Sequence, residues 1–269
     1  CSSCSSGGGV MLRAQQISLR LGSKTILKQV DFQAEAGQIT ALLGRNGSGK
    51  TSLLRCLAMT QTRWRGQVTL DGCPLRSLTP QERSRRIALL PQVLPRPPIT
   101  VRTLTGYGRQ PYLGWGGQLS AADEQKVQRA MEQAEIAAHA EDLVCHCSGG
   151  ERQLAYFAML LAQDTPVVLL DEPTASLDME YRRVVYALLR RMKAEGKTVV
   201  LILHELADAV ELADQVCVLD QGTRVFTGTP EDFLISGLPQ SVFGLCPKQV
   251  RDETGNEFIL FRPLNQGEE

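Results

Sequence analysis

Eight consecutive residues, Gly44-Arg45-Asn46-Gly47-Ser48-Gly49-Lys50-Thr51, constrain this chain more than any other stretch. They fit G-x-x-x-x-G-K-[ST] in full, and the context fits as well. The apolar run Ile39–Leu43 precedes them, as a buried parallel strand would, and a helical stretch from Lys50 to about Leu57 follows. Glycines let a backbone wrap a phosphate chain with its N–H groups turned inward. The start of the following helix adds the positive end of its dipole. The expected cradle is Gly44, Asn46, Gly47, Ser48, Gly49 and Ser52, with Lys50 reaching the β- and γ-phosphates. The Thr51 hydroxyl is a candidate ligand for Mg²⁺.

A second apolar run, Val167-Val168-Leu169-Leu170, ends in Asp171-Glu172. Ligands of open parallel sheets lie beyond the carboxyl ends of the strands. Beside a phosphate loop, Asp171 is expected to hold Mg²⁺ directly or through water, and Glu172 to polarise an attacking water as general base.

The surrounding pattern is that of an α/β fold with a mainly parallel sheet. Residues 12–20 and 26–34 alternate apolar and polar side chains around a Gly22-Ser23 turn. Gln67–Leu70 repeats this before Asp71-Gly72, which predicts a small flanking antiparallel sheet. Ile87–Leu90 reads as a strand ending at Pro91-Gln92, and 93–118 as loop with one short helix. A helix is predicted over 121–138, capped by Ser120, with Val127, Ala130, Met131 and Ala134 on one face. Helices follow from Ser148 to about Gln163 and from Met179 to Glu195, the latter ended by Gly196. Then come a strand at Thr198–Leu203, a short helix to Ala213, and strands near Val216–Leu219 and Thr223–Thr227. Thr229-Pro230-Glu231-Asp232 has the form of a helix start. In the segment 237–269 only Phe258–Phe261 reads as a strand.

Composition removes several alternatives. Lys plus Arg equals Asp plus Glu at 29 each, so no overall basic charge points to nucleic acid, although Arg83, Arg85 and Arg86 cluster. No apolar run approaches the roughly 18–20 residues that span a bilayer. The eight cysteines lack the framework of a small disulfide-stapled fold. Cys56, Cys73, Cys217 and Cys246 read as reduced thiols, and the opening CSSCSSGGG, with Cys1 and Cys4, as a flexible tail over 1–10 without the apolar region of a signal peptide. Cys145-His146-Cys147 alternate too closely to face one ion together, and no fourth ligand is evident, so a packing role is expected.

Between the phosphate loop and the acidic strand lies Cys147-Ser148-Gly149-Gly150-Glu151-Arg152-Gln153. Ser148 and Glu151 form a capping box opening an apolar helix, whose free N–H groups make an anion site. In this stretch the chain resembles the ABC transporter ATPases, whose hallmark is LSGGQ. Cys147 replaces the usual Leu, and Glu151 the commoner Gln. The resemblance covers about residues 12–235. It implies a P-loop NTPase (RecA-like) core, a flanking antiparallel β-subdomain and a helical subdomain inserted over about 93–163, all within a single domain over 11–269. It also implies that Ser148, Gly149 and Gly150 meet the γ-phosphate bound by a second copy, in a dimer that sandwiches ATP. Gln92 matches the Q-loop glutamine, which contacts Mg²⁺ or water. Ser176-Leu177-Asp178 matches the D-loop, with Asp178 at the dimer interface, and His204 matches the switch histidine. Leu21 stands where relatives often place an aromatic ring against adenine, so stacking is lost and weaker base discrimination is expected.

Ile99-Thr100-Val101-Arg102, Gly106-Tyr107-Gly108-Arg109-Gln110-Pro111-Tyr112 and Leu161-Ala162-Gln163-Asp164-Thr165 resemble the bacterial iron-complex importers, those for ferric citrate, ferric siderophores, haem and cobalamin. That likeness implies uptake of a ferric chelate, with haem or cobalamin as the alternative. It implies permease subunits docked on about Gln92–Tyr112, a substrate-binding protein acting indirectly, no nucleic acid, and a peripheral place on the cytoplasmic face of the inner membrane. A soluble ABC ATPase acting on DNA or ribosomes is the rival reading; the long coiled-coil insertions or tandem cassettes usual there are not seen.

Overall fold

A computed structural model describes residues 10–114, 116–175, 177–251 and 257–264. Cys1, Cys4 and Ser176 lie outside the described residues. The chain runs β1 (Leu12–Leu21), β2 (Lys24–Ala34), β3 (Ile39–Leu43), α1 (Lys50–Leu57), β4 (Trp64–Leu70), β5 (Cys73–Pro74), α2 (Pro80–Ser84) and β6 (Ile87–Leu90). Then follow α3 (Val101–Tyr107), α4 (Ala121–Gln133), α5 (Gly149–Gln163), β7 (Val167–Asp171), α6 (Met179–Ala194), β8 (Thr198–Ile202) and α7 (Leu206–Leu212). The C-terminal part adds β9 (Gln215–Asp220), β10 (Thr223–Gly228), α8 (Pro230–Ile235), α9 (Leu238–Ser241), β11 (Leu245–Arg251) and β12 (Glu257–Pro263).

The central sheet has the order β10-β9-β3-β8-β7-β6. Its strands are parallel from β9 through β6, and β10 returns antiparallel along one edge. It is covered on both faces, so its strands are apolar throughout rather than alternating. Successive side chains still go to opposite sides. Ala41, Leu43, Val168, Leu170, Val199 and Leu201 join one core, together with α3 to α6. Leu42, Val167, Leu169, Val200 and Ile202 join the other, with α1 and the antiparallel sheet β2-β1-β4-β5. Helices α3, α4 and α5 fall between β6 and β7 in sequence and pack on one another.

Three expectations need correction. The helix over 121–138 stops at Gln133, because Glu135 takes a left-handed φ of 54° and a separate 3-10 turn follows at Ala137–His139. The strand at Phe258–Phe261 is longer, and its partner β11 was not foreseen; the two form an antiparallel hairpin. Gln67–Leu70 is the end of a strand that begins at Trp64.

Candidate functional site

Four neighbouring parallel strands end on the same edge of the sheet, and each delivers part of the site. The pairings Leu42 with Ile202, Asp171 with Ile202 and Leu90 with Leu170 bring the ends level. Beyond β3 comes the phosphate loop, beyond β6 Gln92, beyond β7 Asp171 and Glu172, and beyond β8 His204.

The loop needs glycine where the sequence has it. Gly44 has a φ of 147°, and a Cβ there would lie 2.2 Å from the Leu219 carbonyl oxygen. Gly49, the residue before α1, has a φ of 105° and lies against Leu27. A side chain at either position would displace the loop. Lys50 is buried, and its Nζ donates to the carbonyls of Gly44 at 2.7 Å and Arg45 at 3.1 Å. Burial lowers its pKa, against the carboxylates of Glu172 and Asp171, which raise it. Thr51 Oγ1 donates to Asp171 Oδ1 at 3.1 Å. Burial pushes the Asp171 carboxyl above the ordinary range, opposed by that hydrogen bond and by Arg55 and Lys50, and reinforced by Glu172. Ser48 Oγ is buried with no hydrogen-bond partner. An unmet buried hydroxyl beside an ammonium and a helix start fits a phosphate oxygen. The paired Thr51 and Asp171 oxygens fit a hard divalent cation.

Glu172 carries the densest geometry. Its Oε2 accepts from Gln92 Nε2 at 2.6 Å, and its Oε1 lies 2.5 Å from His204 Nε2. Its backbone has a φ of 55°, unusual for a residue with a side chain and costing about 1–3 kcal/mol. The other two catalytic candidates, Gln92 and His204, therefore both contact Glu172.

Lys24, Ile26, Asn46, Gly47, Gly49, Lys50, Thr51, Ser52, Gln92, Glu172 and His204 line a cleft of about 430 Å³, within the usual range for a small-molecule site. Leu21 is not among these residues; it ends β1 half exposed, while Lys24 and Ile26 of β2 line the cleft. Sequence reasoning missed both. The Gly22-Ser23 turn was the available signal, since it folds the start of β2 back toward the phosphate loop.

Ser148, Gly149 and Gly150 stand apart from that cleft. The capping box is made: Ser148 Oγ accepts from Glu151 N, and Glu151 Oε2 from Ser148 N. Gly149 faces a second cavity, shared with Gln92, Leu94, Arg152, Gln153, Ala175 and Leu177. Gln153 Nε2 donates to the Pro173 carbonyl at 3.0 Å, tying this helix to the chain leaving Glu172. Gly150 also has a packing role, since a Cβ there would lie 2.3 Å from the Tyr181 ring. Asp178 caps α6 by accepting from the Tyr181 N–H at 3.1 Å. Cys147 is buried, and its thiol donates to the Leu143 carbonyl. Burial pushes the Cys56 and Cys217 thiols up to about 12 and about 11, as befits inert core residues.

The sequence pattern of the ABC transporter family matches residues 27–175. The ferric enterobactin transport ATP-binding protein of Escherichia coli (strain K12) is 36% identical over 236 residues, 87% of this chain and 87% of that protein. The hemin import ATP-binding protein of Nocardia farcinica (strain IFM 10152) is 38% identical over 261 residues, 94% of this chain and 90% of that protein. Among solved structures, an ABC transporter assigned to the metal-chelate type, in an inward-facing conformation, contains a chain that matches with a TM-score of 0.82. That match is 24% identical and covers 96% of this chain and 98% of the other, a likeness of fold.

Proposed function

The chain belongs to the ABC transporter family and is an ATP-binding ATPase, and from that premise we propose that it drives import of a ferric chelate, a siderophore complex before haem. The observation that carries the reading is the division of the site. One edge of the sheet holds the phosphate cradle with Gln92, Glu172 and His204, while the Ser148 end of α5 opens onto a different cavity. A single copy thus offers two unlike halves, and two copies facing each other complete two sites.

In this mechanism the backbone of Gly44–Gly49 and Lys50 bind the phosphates of ATP. Thr51, Asp171 and Gln92 would hold Mg²⁺, which supplies charge neutralisation at the β- and γ-oxygens. Glu172 takes the proton of the attacking water, and Gln92 and His204 fix its carboxylate from both sides. Ser148, Gly149 and Gly150 of the other copy close over the terminal phosphate, with Asp178 at the interface. Because ATP binds the closed pair better than the open one, its binding and loss drive the cycle.

No helix among the described residues is long and apolar enough to cross a membrane. Permease subunits would do so, docking on the segment Gln92–Tyr112 that leads into the helical unit 93–163, with this chain peripheral on the cytoplasmic face of the inner membrane. Val93 and Tyr107 expose apolar surface there. The C-terminal extension 237–269 carries the hairpin.

The test has two arms. Glu172→Gln should leave ATP binding intact and lower turnover by about 10²–10⁴-fold; unchanged turnover removes Glu172 from the chemistry. Reconstituted with the permease that co-purifies with it, the chain should hydrolyse ATP faster when a binding protein loaded with ferric siderophore is added. Stimulation by hemin alone would reassign the cargo.

A further inference from the structure

Two stretches distant in sequence lock together at the end of α5 opposite Ser148. One is 108–112, which closes the segment read as the permease dock, and the other is the last turn of α5. A helix leaves its last four carbonyls without partners inside it. In α5 the Asp164 N–H takes those of Leu160 and Leu161. The other two are met from outside: Arg109 Nη1 donates to the Ala162 carbonyl at 2.8 Å, and the Tyr112 hydroxyl to the Gln163 carbonyl at 2.9 Å. The guanidinium also suits the negative end of the helix dipole.

The fit is close. A Cβ at Gly108 would lie 2.2 Å from the Met159 carbonyl oxygen, so a side chain there would push the segment off the helix. Arg109 is only 4% exposed; its Nε donates to Asp123 Oδ1 at 2.9 Å, and its Cζ lies 4.0 Å from the centre of the Tyr112 ring. A planar guanidinium serves two acceptors and a ring face at once, whereas an ammonium is a point charge. Residues of α2 and its end hold the turn from the other side: Gln81 Nε2 and Arg85 Nε donate to the Pro111 carbonyl at 3.0 and 2.7 Å. Gln163 Nε2 in turn donates to the Ser84 carbonyl at 2.6 Å.

One end of α5 is thus fastened to the docking segment, while the other carries Ser148, about 22 Å away at 1.5 Å per residue. Coupling over such distances is carried by rigid elements and the hydrogen-bond networks that join them. We propose that Arg109 is a positioning residue that couples the permease to ATP turnover: with Tyr112 it fastens the docking segment to α5, so that this segment and the Ser148 end shift as one body. The inference rests on the reading of Gln92–Tyr112 as the dock. Buried as it is, Arg109 acts through α5 and not by contact with a docked subunit.

The quantity to measure is the factor by which the co-purified permease, reconstituted with the full chain, changes ATP turnover relative to the chain alone. Arg109→Lys should shrink that factor about three- to fivefold with the permease still bound. Tyr112→Phe, which loses one hydrogen bond and keeps the ring, should shrink it about twofold. Thr229→Ala removes the cap of α8, which packs on β9, β10, α7 and α9 instead, and should keep the parental factor. The proposal is overturned if Arg109→Lys and Tyr112→Phe keep the parental factor or shed the permease. An equal fall in Thr229→Ala also overturns it, because lost stability would then be the cause. Val93→Asp combined with Tyr107→Asp tests the reading beneath it. If that double variant keeps the permease and the parental factor, the dock lies elsewhere and the proposal falls with it. If it sheds the permease while Arg109→Lys keeps the parental factor, the Arg109 proposal alone fails.

Discussion

Asp171 shows the cost of building a charged site inside a core. Burial raises its pKa, so the fold favours its protonated form. The stabilising contribution of such a group is full below the ordinary aspartate range and lost as pH rises through the raised value. At neutral pH the buried carboxylate is therefore a liability retained for its chemistry. Asp171→Asn should raise the nucleotide-free melting temperature near pH 7 by about 2–4 °C per kcal/mol of cost removed, with the gain shrinking toward acid pH, while turnover is lost. Calorimetry across pH checks this, and a fall in melting temperature would contradict it. Leu21 carries a second prediction. No aromatic ring stands at that position, and the cleft is lined near the start of β2 by Lys24 and Ile26 instead. ATP and GTP should then be turned over at comparable kcat/KM, and strict preference for ATP would argue against this. The residues legible in the sequence were those whose chemistry fixes their spacing, Gly44 to Thr51 and Asp171-Glu172. Leu21 was placed by the family resemblance alone, from its position just before Gly22, and no pattern in its own neighbourhood marks which way a half-exposed strand end faces.

At the scale of elements, legibility followed how locally each boundary is determined. Strands β3, β7 and β8 were evident because burial on both faces leaves them uniformly apolar. The starts of α4, α5 and α8 were evident because each is a capping box of adjacent residues. The end of α4 was not, since Glu135 turns left-handed without a glycine to mark it. Strand β11, reading LCPKQVR, has neither alternation nor a continuous apolar run, and only its pairing with β12 makes it a strand. The α4 cap gives a prediction with a definite pH sense. Hydrogen bonds from Ser120 and Arg109 hold Asp123 below the ordinary carboxylate range. Such a group contributes stability above its unfolded pKa and loses it as pH falls through the folded value. Asp123→Ala should cost about 1 kcal/mol or more near neutral pH, and the difference should narrow on acidification. Urea midpoints of the two proteins at several pH values measure it; a gap independent of pH would show that packing, not charge, holds the cap.

At the scale of the whole molecule, the parallel sheet brings four loop ends to one edge while α5 carries the Ser148 end elsewhere. Gln92 borders both cavities, and Gln153 ties α5 to the segment after Glu172. On the proposed reading, this arrangement suits an ATPase that works as two copies beneath a membrane-spanning partner. The most direct measurement is a structure of the Glu172→Gln chain loaded with ATP and Mg²⁺. The account predicts Ser148 of one copy within hydrogen-bonding distance of the terminal phosphate that the other copy's Lys50 holds. Ser148 remote from every terminal phosphate, in every assembly observed, would contradict it.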